Sequence, residues 1–329
     1  MTSSPAVCVL GPGPTGALLA RLAADGGRTV SWWAGDRAVQ PERRAKRRDE
    51  RDVGSSALPG NIHATADARE ALGDAPLVFL AVPAGDLPAL LASLAPQLRP
   101  DRLVVHAAKG LDGPAGRRPS ELVAAEAPAR RLGALAGPYL AAEVSSGYAT
   151  TLVVASRFCE VHAAVRETLG SGRVRVQGTH DLLGVELAAA SVVALGAAAG
   201  LCAGLRFGAG ARAVVLARGF VEATRLGTEL GGKAETFAGP AGMADLLVTV
   251  DDPDGLGYRF GRRVGAGEPA AEVREDAEQR TEAVRSLQGL TALAVRTRVP
   301  VPTLAALRDV LVDGADASTT LDRALREPG

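Results

Sequence analysis

Three glycines near the start of the chain have the spacing of a phosphate-binding loop. Gly11, Gly13 and Gly16 follow an apolar run at 6–10 and precede a segment of helical periodicity at 17–24. The first glycine permits a tight turn, the second lets the backbone approach a pyrophosphate, and the third lets the helix pack closely on the strand. The helix N-terminus then presents free N–H groups to the anion. The pattern predicts a dinucleotide-binding loop, and its alternative is a glycine-rich turn without a ligand.

The end of the second predicted strand bears on the choice of cofactor. This strand, at 29–33, ends in Trp33 and is followed by Asp36 and Arg37. An acidic residue at this place often binds the ribose hydroxyls of NAD, whereas an arginine suits the 2′-phosphate of NADP. The cationic run at 42–51 offers further charge, although its simpler interpretation is a solvated helix face. The choice between NAD and NADP therefore stays open.

The rest of the first half alternates between short apolar runs and helical segments. Further strands are predicted at 77–82, 103–107, 132–136, 151–155 and 174–177. Helical segments, such as 86–98 and 120–127, lie between them. This alternation predicts an α/β fold of the Rossmann type, with a mostly parallel sheet and helices on both faces.

The character of the sequence changes near residue 180. The stretches at 181–231 and 270–326 are rich in Ala, Leu, Glu and Arg and have the pattern of helices. We therefore predict a dinucleotide-binding Rossmann domain at 1–180 and an all-α substrate domain at 181–329. Two domains also suit a chain of 329 residues, since a domain usually has roughly 100–200 residues.

Composition excludes several classes of protein. Lys and Arg number 37, as do Asp and Glu, so the zero net charge offers no general attraction to nucleic acid or anionic membranes. Three widely separated cysteines argue against a disulfide framework and predict a reducing, cytoplasmic compartment. The apolar run near 188–204 consists largely of Ala and Gly, and we expect it to be too weakly hydrophobic to span a membrane. No Cys/His cluster has metal-ligand spacing, so no metal is expected.

Ten short motifs, in this order along nearly the whole chain, resemble the NAD(P)-dependent glycerol-3-phosphate dehydrogenase family. They are Gly11–Gly16, Leu58–Ile62, Val82-Pro83, Lys109-Gly110, Leu135–Pro138, Ala141–Val144, Asp181–Leu187, Arg218-Gly219, Gly231–Phe237 and Ala241–Leu246. The resemblance implies a Rossmann domain and a helical substrate domain, with catalysis in the cleft between them. It also implies reversible reduction of dihydroxyacetone phosphate by hydride transfer from NAD(P)H.

Several residues match functional positions of that family. Lys109 matches a substrate-side lysine, and a lysine at the carboxyl end of a strand also lies where ligands of such sheets bind. Asp245 matches a family aspartate among apolar neighbours, with a helix N-cap as its alternative role. The residues that we expect to contact substrate are Lys109, Gly137, Thr249 and Arg259, with Lys109 and Asp245 catalytic. The residues that we expect to bind the cofactor are Gly11, Gly13, Pro14, Thr15, Gly16, Trp33, Arg37, Val82, Pro83, Ala141 and Glu143.

Other positions depart from the family pattern. The family has a Lys-Asn pair, whose lysine is its general acid/base, where this chain has Val192 and Val193. Valine can neither move a proton nor stabilise an alkoxide. The family's Arg-Asn phosphate clamp aligns with Phe260 and Gly261, which leaves Arg259 one residue early. These departures predict a more apolar pocket and a substrate without a phosphate in the usual place.

Three hypotheses about function follow. The first is an NAD(P)-dependent reductase or dehydrogenase with an altered carbonyl or imine substrate, which suits specialised metabolism. The second is a glycerol-3-phosphate dehydrogenase whose loop rearranges so that Arg259 and Lys109 bind the phosphate. The third is a non-catalytic NAD(P)-binding protein. We also expect a homodimer with a small-molecule substrate, and His106 is a further candidate for proton transfer because it ends a predicted strand.

Overall fold

The computed structural model describes residues 7–35, 58–277 and 282–326. Backbone contacts group the chain into two compact units. The bounds of the first unit are Met1–Val82, Asp86–Ala108 and Ser120–Leu182, and those of the second are Pro83–Gly85, Lys109–Pro119 and Leu183–Gly329. The loop at 109–119 therefore groups with the helical unit, although the sequence analysis includes it in the first domain. The domain boundary near residue 180 stays a prediction.

The first unit contains a single eight-stranded sheet. Its strands, from β1 to β8, are Val7–Leu10, Val30–Trp33, Ile62–Thr65, Leu77–Leu80, Leu103–His106, Arg131–Ala136, Thr150–Ser156 and Val174–Thr179. Their order in the sheet is β3-β2-β1-β4-β5-β6-β7-β8. The β6–β7 pair is antiparallel and the other neighbouring pairs are parallel. The predicted mostly parallel α/β fold is confirmed.

Burial explains which strands the sequence pattern predicts. All four side chains of β1 and of β4 are buried, as expected for central parallel strands that are covered on both faces. In contrast, β3 is an edge strand in which Ile62 alone is buried. A run with one buried apolar side chain has no pattern that distinguishes it from a loop. The sequence pattern therefore does not predict β3.

Helices connect the strands of the first unit. From α1 to α6 they are Pro14–Asp25, Ala68–Leu72, Leu87–Leu94, Pro119–Glu126, Ala141–Ser145 and Cys159–Leu169. Helix α1 buries Leu18, Leu19 and Ala23 in the same apolar cluster as Val9 and Phe79 of the sheet. This packing holds the start of α1 at the carboxyl end of β1, where the glycine loop connects them.

The described part of the second unit is built from helices. From α7 to α15 they are Leu182–Gly204, Ala209–Glu229, Ala234–Ala238, Asp245–Val250, Leu256–Gly265, Ala270–Ala277, Ala283–Thr297, Pro302–Leu311 and Ala317–Arg326. Their apolar side chains form one continuous core cluster. The predicted all-α architecture of the C-terminal part is confirmed.

Helix α7 is the central helix of this core. Among the described residues it is the one helix long and apolar enough to cross a membrane by length and composition, and 83% of its most apolar window is buried inside the protein. The expected weak hydrophobicity of this run is wrong, since its mean hydropathy is 2.0, while the expectation that it does not span a membrane stays a prediction. Burial among helices accounts for its composition. Its glycines permit close packing, since a Cβ on Gly200 would lie 1.9 Å from the Tyr258 carbonyl oxygen.

Candidate active site

The glycine loop has the geometry of a dinucleotide cradle. A Cβ on Gly11 would lie 2.2 Å from the Ala81 carbonyl oxygen, and one on Gly16 would lie 2.1 Å from the Gly11 carbonyl oxygen. Both positions therefore require glycine for packing. Gly13 differs, because a Cβ there would have no atom within 4 Å. It precedes α1, whose first amides have no partner inside the helix. Open space over Gly13, at a helix N-terminus, fits a pyrophosphate.

Trp32 supports this loop, and the sequence analysis does not single it out. Its side chain is buried in β2, and its indole N–H donates a hydrogen bond of 2.9 Å to the Gly11 carbonyl oxygen. A buried tryptophan needs a partner for this N–H, so the residue type was an available signal. The identity of the partner depends on the pairing of β1 with β2, which the sequence alone does not specify.

The other expected cofactor residues lie at strand ends of the first unit or just beyond them. Trp33 ends β2, is partly exposed and donates its indole N–H to the Ala66 carbonyl oxygen at 3.0 Å. Val82 is buried and follows β4, while Pro83 groups with the second unit. Ala141 and Glu143 lie in the first turn of α5, with Glu143 exposed.

The remaining positions in the loop and beyond β2 are placed as follows. Pro14 is exposed and Thr15 is half-buried at the start of α1. Arg37 lies outside the described residues, as do Asp36 and the cationic run at 42–51.

Lys109 and Asp245, which are 136 positions apart in sequence, form an ion pair in the second unit. The Lys109 Nζ donates to Asp245 Oδ1 at 2.8 Å and to Oδ2 at 2.7 Å. The Asp245 side chain is 2% exposed and that of Lys109 is 21% exposed. The lysine thus presents an ammonium group at a partly open position, while its counter-ion lies beneath the surface. A paired ammonium stays protonated and can donate a hydrogen bond to a ligand oxygen.

Two opposing effects act on the carboxyl of Asp245. Burial raises its pKa above the ordinary aspartate value, and the adjacent Lys109 ammonium opposes part of this rise. Both hydrogen bonds from Lys109 require the ionised carboxylate as acceptor. The pair is therefore sensitive to acid at a higher pH than an exposed aspartate would be.

A wide turn sets the position of Asp245. The π-helical turn Pro240–Ala244 precedes α10, and Asp245 is the first residue of that helix. No side chain caps this helix start, and the Asp245 carboxylate faces Lys109. The alternative role of Asp245 as an N-cap is therefore not what the structure shows. Gly242 is needed in the turn, because a Cβ there would lie 2.1 Å from the Phe237 carbonyl oxygen.

The expected substrate residues do not all share one environment. Thr249 lies one helical turn after Asp245 on α10 and is half-buried, and its methyl group would be 2.8 Å from a Cβ on Gly196 of α7. Arg259 lies on α11, is half-buried, and makes no side-chain hydrogen bond or ion pair with another described residue. Gly137 belongs to the first unit, is buried, and has a φ of +125°, which suits glycine alone.

The positions that depart from the family pattern lie in the helical core. Val192 is fully buried in α7, and Phe260 of α11 is buried in the same cluster. A Cβ on Gly261 would lie 1.9 Å from the Ala197 carbonyl oxygen, so this backbone has no room for an asparagine there. Val192 and Phe260 therefore contribute to helix packing rather than to an open, more apolar pocket. Val193 is half-buried.

The structure also places His106, the further candidate for proton transfer, and the three cysteines. His106 ends β5 and is buried, with 3% of its surface exposed. Cys8 and Cys202 are buried, Cys159 is exposed, and none of the three forms a disulfide. Within residues 7–35, 58–277 and 282–326, no three His, Cys, Asp or Glu side chains are grouped so that they could hold a metal ion.

The mostly parallel sheet and the glycine loop at the carboxyl end of β1 define a dinucleotide-binding fold of the Rossmann type. Comparison with known proteins specifies the family. The model of the NAD-dependent glycerol-3-phosphate dehydrogenase N-terminus matches residues 6–161, and that of the C-terminus matches residues 181–322. The chain belongs to this family, whose members are NAD(P)-dependent oxidoreductases acting on CH–OH groups.

Individual relatives agree over nearly the full length. A glycerol-3-phosphate dehydrogenase (NAD(P)+) of Clostridium perfringens is 32% identical over 315 residues, which are 96% of this chain and 95% of the relative. One of Thiobacillus denitrificans is 35% identical over 320 residues, covering 96% of each chain. The crystal structure of glycerol-3-phosphate dehydrogenase from Coxiella burnetii superposes with a TM-score of 0.89 at 27% identity, covering 98% of this chain and 99% of that one.

Proposed function

We propose that this chain is an NAD(P)-dependent dehydrogenase that interconverts a small alcohol or amine with the corresponding carbonyl compound or imine. We propose further that its preferred substrate differs from glycerol 3-phosphate. The observation that carries the proposal is the Lys109–Asp245 pair, in which a partly exposed ammonium is held by both oxygens of a buried carboxylate. Such a group can stabilise the negative charge that develops on a carbonyl oxygen during hydride addition.

The residues of the candidate site suit distinct parts of this reaction. Gly11, Gly13 and Gly16 form the cradle for the cofactor, which when bound supplies or accepts the hydride. Lys109 would donate a hydrogen bond, and in the reductive direction a proton, to the substrate oxygen. We propose that Asp245, as the counter-ion, keeps this ammonium oriented and charged.

The altered substrate is supported by what occupies the departing positions. The family's acid/base lysine has its counterpart here in Val192, which is fully buried among apolar side chains. The phosphate clamp has its counterpart in Phe260 and Gly261, both of which pack in the helical core. A lost arginine contact to phosphate removes about 1.5–3 kcal/mol of charge-assisted hydrogen bonding. We therefore expect weak recognition of a phosphate group.

A second candidate is reduction of dihydroxyacetone phosphate itself, as in the relatives' names. It is favoured by the 32–35% identity over nearly the whole chain. It is also favoured by Arg259, a half-buried arginine whose side chain makes no hydrogen bond or ion pair with another described residue. In this case Arg259 would bind the phosphate, and Arg259→Met would raise the KM for dihydroxyacetone phosphate without weakening NAD(P)H binding.

One assay separates the two candidates. The purified protein is mixed with NADH or NADPH and with dihydroxyacetone phosphate or a panel of small ketones, aldehydes and imines. Cofactor oxidation is then followed by absorbance. We expect turnover with a member of the panel, and a kcat/KM for dihydroxyacetone phosphate at least about 10²-fold lower. Reduction of dihydroxyacetone phosphate at several turnovers per second with a micromolar KM, which is an ordinary enzyme rate, would overturn the altered substrate.

A further inference from the structure

The loop that carries Lys109 closes on itself. In this loop, residues 109–119, the amide of Asp112 donates to the carbonyl oxygen of Arg117 at 2.9 Å in an isolated antiparallel bridge. The Arg117 guanidinium also lies 2.6 Å from the Asp112 carboxylate. In an antiparallel pair, the residues that flank the bridge face each other. Arg118 therefore lies at the base of the loop, on the segment opposite Leu111 and close to where Lys109 enters.

Packing anchors one side of this loop to helix α13. Leu111 is fully buried in the helical core. A Cβ on Gly289 of α13 would lie 2.9 Å from the Leu111 Cβ, so glycine is needed there for the loop to approach. The Arg296 guanidinium donates to the Ala115 carbonyl oxygen at 3.1 Å. The base of the loop also packs on this helix, since a Cβ on Gly110 would lie 3.0 Å from the Ser286 Oγ. The two cations of the base, Lys109 and Arg118, are held by carboxylates of other helices.

A second buried carboxylate holds the base of the loop. Arg118 Nη1 donates to Glu186 Oε2 at 2.9 Å. The Glu186 side chain, on α7, is 0% exposed, and that of Arg118 is 19% exposed. The two cations of the loop base are thus paired with two buried carboxylates from different helices, Asp245 and Glu186. Breaking a buried ion pair by removing one partner is strongly unfavourable, so each pair restricts where the loop base can lie.

We propose that Glu186 is a positioning residue for Lys109. Through Arg118 it holds the base of the 109–119 loop, and this keeps Lys109 Nζ between the two oxygens of Asp245. Glu186 acts at a distance from the reacting atoms and does not exchange a proton with substrate. The inference rests on the proposed role of Lys109 in the reaction, but the position of Lys109 can be measured without a substrate.

Chemical labelling measures that position directly. The chain has three lysines, Lys46, Lys109 and Lys233, which separate into different peptides after digestion. The rate of acetylation of each lysine by an N-hydroxysuccinimide ester is followed by mass spectrometry in the full-length protein. An ammonium held by both oxygens of a buried carboxylate reacts slowly, because that contact must open before the amine can attack the ester. In Glu186→Gln we expect acetylation of Lys109 to rise about tenfold, with Lys233 unchanged.

Two further variants complete this test, one as its control and one as a substitute if Glu186→Gln does not fold. Glu268→Gln is the matched control, since Glu268 pairs with Arg263 at 2.6 Å on the exposed surface of the same unit. It should leave the labelling of Lys109 unchanged. If Glu186→Gln fails to fold, Arg118→Met with Glu186→Met removes both charges of the pair, so that neither charge is left opposite a neutral partner. Unchanged protection of Lys109 in a folded variant of either kind overturns the proposal.

Kinetics separate failure of this inference from failure of the proposed function. With a substrate in hand, Glu186→Gln should lower kcat by about 10–100-fold, the usual effect of a misplaced catalytic group, with NAD(P)H affinity unchanged. Combined with Lys109→Met, it should cause no further loss, because both act through one group. Additive losses would overturn the positioning role. If Lys109→Met alone leaves kcat unchanged, the proposed function of Lys109 fails, while the labelling result still reports on Glu186.

Discussion

The carboxylate of Glu222 on α8 caps the N-terminus of another helix. Its Oε1 accepts the amide of Thr303 at 2.9 Å, and its Oε2 accepts the amide of Leu304 at 2.9 Å. These amides lie in the first turn of α14, where no intrahelical partner exists. Glu222 is 2% exposed, so a buried charge satisfies two buried donors at the positive end of a helix.

Replacing this cap should destabilise the helical unit. Glu222→Gln keeps one acceptor oxygen but turns an N–H₂ group toward a donor. We expect a loss of about 1.5–3 kcal/mol in the free energy of unfolding, the usual value of a hydrogen bond to a charged group. Urea denaturation followed by circular dichroism measures it. Glu229→Gln, at the exposed end of the same helix, is the control. Equal stabilities of the two variants would show that the cap contributes little.

Gly13→Val should abolish cofactor binding without unfolding the protein. The backbone at Gly13 has φ −87° and ψ 178°, which valine adopts, and there is open space for its Cβ. The new side chain would occupy the space proposed for the pyrophosphate. Calorimetry should show loss of NAD(P)H binding with retained circular dichroism, whereas Gly172→Val, also in open space, should bind normally. Unchanged affinity in folded Gly13→Val would contradict the cofactor site.

Loss of the Lys109 ammonium should impair the chemical step. Lys109→Met should lower kcat by about 10²–10⁴-fold, the usual size of an acid/base contribution, and leave NAD(P)H affinity unchanged. Asp245→Asn should lower kcat less, because the ammonium stays but loses its counter-ion. Steady-state kinetics with a turned-over substrate and cofactor titration check both variants. A Lys109→Met enzyme with nearly wild-type kcat would mean that another group provides the proton.

The Asp245 carboxyl should set an acidic limit on activity. Burial raises its pKa, so protonation on acidification begins at a higher pH than for an exposed aspartate. The protonated carboxyl no longer holds Lys109, and kcat/KM should fall as the pH drops through the raised pKa. The effect on stability has the opposite direction. Because the native pKa of Asp245 is raised, the free energy of unfolding decreases as the pH rises through that pKa. The pH profile of Asp245→Asn should lack this limb, and a wild-type limb that persists in the variant would assign it elsewhere.

One cysteine should react rapidly in the folded protein. Cys159 is exposed, whereas burial raises the pKa of Cys8 to about 12 and that of Cys202 to about 11. At pH 8 the reactive thiolate is then roughly 10⁻⁴ of Cys8 and 10⁻³ of Cys202. Ellman's reagent should modify one thiol quickly, and all three after denaturation in guanidinium. Cys159→Ser should remove the fast phase, and a second fast thiol in the native protein would refute the burial of Cys8 or Cys202.

Local patterns in the sequence predict the sheet and its cofactor loop. Buried parallel strands such as β1 and β4 are continuous apolar runs, and the spacing of Gly11, Gly13 and Gly16 has a local steric cause. The edge strand β3 escapes prediction because one buried side chain makes no pattern. Similarly, the antiparallel direction of β7 beside β6 depends on pairing, not on the composition of either strand.

Some features of the candidate site likewise follow from the sequence, and others follow only from the tertiary structure. The sequence by itself determined that Lys109 closely follows a strand and that Asp245 lies among apolar residues, where it needs a partner. Only the tertiary structure decided that the two pair across 136 positions, that Trp32 holds the Gly11 carbonyl, and that Glu186 pairs with Arg118. Residue type and local spacing specify what a side chain can do, whereas long-range packing decides which groups come within hydrogen-bond distance. A buried charge or N–H must find a partner, and that requirement does not identify which one.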